Sequence, residues 1–143
     1  SNKTRAIAEL FAWVHSVDRL KIAKRLNEQR PESLPPLNIC IQVNIDEEES
    51  KSGMLLEELP TMIEGLKLLP RLSLRGLMCI PRADQGEESL RKAFLRMKAA
   101  FVEAKQTSLD LDTLSMGMSG DVEIAIDCGS TMVRVGTALF GER

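Results

Sequence analysis

Apolar positions recur along the chain in two alternating rhythms. One has the period near 3.6 of a helix packed on a core, and the other the period near two of a strand. The chain opens on the helical rhythm, with Ile7, Leu10 and Phe11 spaced around Arg5 and Glu9. Residues 11–17 (FAWVHSV) read as a short strand, and Asp18 is placed to cap a helix carrying Leu20, Ala23 and Leu26. Pro31, Pro35 and Pro36 end that helix. Residues 38–45 (NICIQVNI) form a second strand, whose alternating polar positions leave one face able to line something polar. An acidic loop, 46–53, leads to a helix with Leu56, Leu59, Met62, Ile63 and Leu66 on one face. Pro60 is tolerated only in a first turn, so that helix starts late. Residues 73–80 (SLRGLMCI) make a third strand, closed by Pro81. The helix at 87–105 is the clearest: Leu90, Phe94, Met97 and Phe101 form its buried stripe, while Arg91, Lys98 and Glu103 face water. Residues 113–118 are a fourth strand and 121–127 a short helix stopped by Gly129. Residues 131–140 hold the fifth strand and the start of a further helical turn.

Strands alternating with helices imply a parallel α/β sheet with right-handed crossovers. No linker or low-complexity stretch interrupts residues 1–143, which read as a single domain. Two architectures compete. One is an open, doubly wound sheet of five strands, which fits this length. The other is part of a (β/α)8 barrel, which needs about 250 residues. The chain opens at Ser1 directly into a helix with no strand before it, as if mid-fold.

Composition narrows the classes of function. With 43% hydrophobic and 28% charged residues and a net charge of −2, the chain is neither disordered nor collagen-like. No apolar run is long enough for a membrane span or a secretory signal, so no membrane partner is expected. Near-neutral charge, 3% aromatics and the absence of Tyr give no footprint for nucleic acid. Cys40, Cys79 and Cys128 are odd in number, far apart and flanked by apolar residues. With no C-x-x-C and only His15 besides, they read as reduced core thiols rather than a metal site, which suggests a cytoplasmic protein. The acidic run Asp46–Glu49 reads as a solvated face, because hard-cation loops need spaced oxygen ligands.

In parallel α/β folds ligands meet the carboxyl ends of strands. The last two strand ends are the most unusual here. The first reads Ser115-Met116-Gly117-Met118-Ser119-Gly120-Asp121, with two Gly for close backbone approach and a hydroxyl before a helix start. Unpaired amides at such a start favour an anion; a capping Ser or Asp with no ligand is the commoner use of these residues. The second reads Val133-Arg134-Val135-Gly136-Thr137. Arg134 lies inside an apolar strand, where a charge is costly without a partner, whether a ligand or a core carboxylate. Gly136 and Thr137 follow at the strand end and can offer amides and a hydroxyl. Barrels often bind phosphate between the loops after strands seven and eight. His15 is a candidate pocket liner, and Lys51 reads as a solvated loop lysine near the mouth of the site.

These segments carry a family resemblance. Together with His15-Ser16-Val17-Asp18-Arg19-Leu20, Gln42-Val43-Asn44-Ile45, Ser50-Lys51-Ser52-Gly53 and Arg75-Gly76-Leu77-Met78-Cys79-Ile80-Pro81, the sequence resembles the YggS/PROSC family of pyridoxal 5′-phosphate (PLP) homeostasis proteins. The resemblance implies the barrel of the alanine racemase N-terminal domain, here incomplete at about its last five strands. It implies that Ser119 contacts the PLP phosphate with Met118 beside it, that Gly136 and Thr137 complete the phosphate cup, and that Arg134 faces the pyridine nitrogen. A cation there keeps that nitrogen unprotonated and weakens the ring as an electron sink, which fits holding PLP. The family's Schiff-base lysine sits on the first barrel strand, and no lysine of this chain matches its motif. The expected function is therefore that of a non-catalytic PLP carrier, with no catalytic residue and no covalent PLP attachment in this chain. A PLP-dependent amino-acid racemase of the same barrel type and an open-sheet phosphate-binding module are the alternatives. Five barrel strands leave open edges, so the expected partners are PLP or an inorganic anion at the phosphate site, and the missing N-terminal segment or a second copy of the chain.

Overall fold

The computed structural model describes residues 3–49 and 51–135. Five strands are found among them: β1 (Trp13–Val17), β2 (Leu37–Val43), β3 (Leu72–Cys79), β4 (Thr113–Met118) and β5 (Met132–Arg134). All neighbouring pairs are parallel, and the strands lie side by side in chain order. A doubly wound sheet reverses its strand order at a switch point. The sequential order excludes that arrangement and leaves the barrel type.

The helices are α1 (Thr4–Leu10), α2 (Leu20–Gln29), α3 (Leu59–Leu66), α4 (Glu87–Lys105) and α5 (Val122–Asp127). Crossovers of one hand between successive neighbours put helices on one face of the sheet. That face carries Leu37, Ile39, Ile41, Val43, Leu77, Leu114 and Met116, which share one core with Leu26, Met62, Ile63, Phe94 and Met97. The intervening positions, His15, Asn38, Gln42 and Ser115, take the opposite face.

The sheet is strongly curled. Three strand spacings put β1 and β4 about 14 Å apart in a flat sheet. Yet Nδ1 of His15 on β1 lies 3.3 Å from Oγ of Ser115 on β4. Only a sheet bent into a trough brings these side chains together. At its other end the trough is closed by Arg75. The β2–β3 register shifts between Ile39 and Cys40, which makes Arg75 a bulge residue and re-aims its side chain. Its guanidinium stacks 4.9 Å from the Trp13 ring, donates to Asn38 Oδ1 at 3.1 Å and forms a two-pronged pair with Asp112.

The helix at 87–105 and the strand at 113–118 fall where the apolar periods put them, and Pro60 sits in the first turn of α3. Two expectations are corrected. Leu10 and Phe11 do not anchor α1; they are 76% and 55% exposed, and α1 buries Thr4 and Ala8. Buried Arg30 holds this region instead, donating to the carbonyls of Ala8 (2.9 Å), Phe11 (2.6 Å) and Pro35 (2.8 and 3.0 Å). Asp18 does not cap α2, which has no side-chain cap; its Oδ2 accepts from the Gly53 amide at 3.0 Å and ties the β2–α3 loop to the end of β1. Of the stretch 131–140, the described part holds the fifth strand at Met132–Arg134, and residues 136–140 lie outside the described residues. Cys40, Cys79 and Cys128 are buried and unpaired, and burial pushes the thiols of Cys40 and Cys79 up to about 12. No described helix is long and apolar enough to cross a membrane.

Candidate functional site

The two segments singled out in the sequence meet. Met118, the last residue of β4, is the register partner of Arg134 on β5, so Ser119 and Arg134 belong to the same rim of the trough. Arg134 is half-buried. Its Nη1 donates to Ser115 Oγ at 2.6 Å and its Nη2 to the Cys79 carbonyl at 3.0 Å. No carboxylate among the described residues lies within ion-pair distance of it, so the core-carboxylate explanation of this buried charge is not what holds it. Burial pulls its pKa down, while the fields of Cys79 and Asp121 oppose that shift. Two fixed hydrogen bonds on a fork of five donors make a cation of set orientation.

Around Met118 the chain folds into a tight turn. The Asp121 amide donates to the Met118 carbonyl at 2.9 Å, and the Met118 amide donates back to Asp121 Oδ1 at 2.6 Å. Asp121 therefore reaches backward and supplies no side-chain cap to α5. The Met118 amide is already engaged, and what Met118 offers is its exposed side chain. Ser119 is half-buried in this turn. The φ of Gly117 is +104°, and a Cβ there would sit 2.6 Å from the Ala125 Cβ, so the residue lets α5 pack on β4. Gly120 borders open space. Gly136 and Thr137 lie outside the described residues.

His15 is in the middle of β1, half-buried, with the Trp13 ring edge-on at 5.8 Å. Its pKa is lowered, first by burial and then by the charge of Arg134. Ser115, fully buried, joins His15 to Arg134 and carried no role in the sequence reading. The available signal was a hydroxyl at an inward-facing position of an otherwise apolar strand. His15 and Ser115 are not a nucleophile–base pair, because the Ser115 hydroxyl is shut away from any substrate and bonded to Arg134.

Lys51 is exposed and pairs with Glu48 at 3.2 Å. Asp46 accepts from the Arg82 amide and from Gln85 Nε2, so the acidic loop is knitted to the β3–α4 loop. No three His, Cys, Asp or Glu among the described residues converge as a metal site requires. Two clefts lie elsewhere. One of about 380 Å³ is at the amino ends of β2 and β3, lined by Pro36, Leu72 and Leu109. The other, about 480 Å³, runs between α3 and α4 past Leu59 and Ala100.

Comparison with known proteins agrees with this geometry. The family model described as "Alanine racemase, N-terminal domain" matches residues 2–143. A pyridoxal phosphate homeostasis protein of Pseudomonas aeruginosa is 58% identical over all 143 residues, and one of Escherichia coli is 52% identical. The chain spans 61% of the length of these curated relatives. Among solved structures, PipY of Synechococcus elongatus without PLP superposes with a TM-score of 0.91 at 34% identity, covering 99% of this chain and 66% of PipY. PipY with PLP bound gives 0.87 at 33% identity, covering 98% and 66%. The sequential parallel sheet, its curl and the match along the chain place this protein in the alanine racemase N-terminal domain family.

Proposed function

We propose that this chain is the PLP-holding part of a PLP homeostasis protein, acting as a carrier rather than a catalyst. The observation that carries the reading is the pairing of Met118 with Arg134, which brings the turn holding Ser119 next to the strand whose guanidinium is held by Ser115 and the Cys79 carbonyl. These residues fit the cofactor's chemistry. The Ser119 hydroxyl suits a phosphate, Gly136 and Thr137 extend the same rim in sequence, and Arg134 suits the pyridine nitrogen as a donor that never gives up its own proton. Exposed Met118, Ile80 and Met132 supply apolar surface for an aromatic ring. When bound, PLP supplies an electron sink, and a cation at its ring nitrogen weakens that sink. PipY has been solved with PLP bound, and the curated relatives are PLP homeostasis proteins, which supports the reading.

We take the five strands as the last five of an eight-stranded barrel. In that register Ser119 follows strand seven and Arg134 ends the described part of strand eight, next to the loops where barrels bind phosphate, and five of eight strands is close to the 61% of length shared with the relatives. The outer edge of β1 has no strand partner among the described residues, so further barrel strands or a second copy would cover it.

Equilibrium dialysis of PLP against the chain tests the reading. The expected result is binding that weakens about tenfold or more in Arg134→Met and in Ser119→Ala, with no stoichiometric lysine adduct after borohydride reduction. A tenfold loss corresponds to about 1.4 kcal/mol, the scale of one charge-assisted hydrogen bond. Full affinity in both variants, or a single fully labelled lysine, would sink it.

A further inference from the structure

The interior of the trough carries a three-residue chain that links β1 to β5. We propose that Ser115 and His15 are positioning residues of the site: neutral His15 fixes the Ser115 hydroxyl, and that hydroxyl fixes the guanidinium of Arg134 toward the ligand's aromatic ring. This rests on the PLP reading of Arg134.

The argument is a count of donors and acceptors. Arg134 can only donate, and its Nη1 gives a hydrogen bond to Ser115 Oγ at 2.6 Å. Ser115 is fully buried, so its own hydroxyl proton needs an acceptor, and a buried hydroxyl without one is costly. Among the described residues the acceptor within reach is His15 Nδ1 at 3.3 Å. Nδ1 can accept only if it carries no proton, which makes the neutral ring with its proton on Nε2 the form that satisfies all three groups. Protonating His15 would leave the Ser115 hydroxyl facing two donors and no acceptor. The charged groups around this chain act in the same direction. Arg134 on β5 disfavours a second positive charge on His15, and Asp121 from the β4–α5 turn and Cys79 on β3 act on Arg134 rather than on His15. The sheet's curl makes the chain possible, since β2 and β3 lie between the strands of His15 and Ser115. The second Arg134 bond, from Nη2 to the Cys79 carbonyl at 3.0 Å, holds the guanidinium together with the Ser115 bond.

His15 is the only histidine of the chain, so its imidazole nitrogens can be followed by ¹⁵N NMR without assignment and without PLP. The expected wild-type spectrum shows unprotonated Nδ1 and protonated Nε2, with a titration midpoint below that of a free histidine. Ser115→Ala should raise the midpoint and mix the tautomers. PLP affinity should fall about fivefold or more in Ser115→Ala and in His15→Leu. His15→Gln, whose amide oxygen can take the Ser115 proton, should recover most of the loss in His15→Leu; this rescue would not follow from packing alone. A wild-type spectrum with a protonated Nδ1, or a Ser115→Ala variant that keeps the wild-type tautomer, midpoint and affinity, would overturn the proposal. If Arg134→Met itself leaves PLP affinity unchanged, the PLP reading has failed; if Arg134→Met weakens binding and Ser115→Ala does not, only the positioning role has failed.

Discussion

Adding one methyl group at Gly117 should loosen α5 and spoil the rim of the site together. Gly117 has φ +104°, a conformation that costs a residue with a side chain about 1–3 kcal/mol. The new Cβ would lie 2.6 Å from the Ala125 Cβ and 3.3 Å from Val133 Cγ1. Carbon atoms pack at about 3.5–4.0 Å, so α5 must withdraw by about 1 Å. Overpacking of that kind costs about 1–3 kcal/mol, so Gly117→Ala should lose about 2–6 kcal/mol in total. The two contributions can be separated. Ala125→Gly costs about 1 kcal/mol in a helix by itself, but it removes the atom that the new Cβ meets. In the double variant the clash disappears and the backbone strain stays, so the coupling between the two sites should be favourable by about 1–3 kcal/mol. Urea unfolding of the four proteins measures this, with midpoint shifts at constant slope read as stability. PLP affinity should fall with the single substitution, because the Met118–Asp121 turn that leads into α5 moves with it. A Gly117→Ala protein within about 0.5 kcal/mol of wild type would refute the reasoning, since such values are ordinary for surface changes. So would a double variant no better than the sum of its parts.

Two further outcomes follow from titratable groups. Hydrogen bonding to Arg75 holds the Asp112 carboxyl below the usual Asp range. Its stabilisation is therefore present above the ordinary Asp value and lost as pH falls through the lowered one. The stability gap between wild type and Asp112→Asn, followed by urea midpoints from pH 5 downward, should close toward the acid end; parallel curves would contradict the pairing. Cys40 and Cys79, with thiols pushed up to about 12, should ignore a disulfide reagent at pH 8 in the folded state, where about one in 10⁴ of each is thiolate. Both should react on unfolding in urea, and rapid labelling of either in the native protein would contradict their burial.

What the sequence discloses about this molecule depends on whether a residue's partner is near in the chain or far. The stripe Leu90–Phe94–Met97–Phe101 repeats a local period, so α4 is legible to its ends. Arg134 is legible because a cation in an apolar strand is anomalous wherever that strand lies. Asp18 and Asp121 both stand just before helices and both read as caps. Each turns instead to a different amide: Asp18 to Gly53 of a distant loop, and Asp121 to Met118, three residues back in the tight turn ending β4. A short carboxylate beside a helix start has several such donors to choose from, near and far, and its position in the sequence does not select one. Leu10 and Phe11 fail for the reverse reason: a seven-residue helix is too short to dock by an apolar stripe when Arg30 can hold its end by backbone carbonyls. The sheet's curl sums small rotations over four strand pairs, and no single segment records it. Ser115 is the extreme case. Its meaning comes from Arg134, nineteen residues later on the neighbouring strand, and from His15, a hundred residues earlier, which reaches it only because the sheet curls. A residue that aims another has no period of its own, so at this site the hydroxyl between two recognisable side chains becomes readable only once the strands are bent.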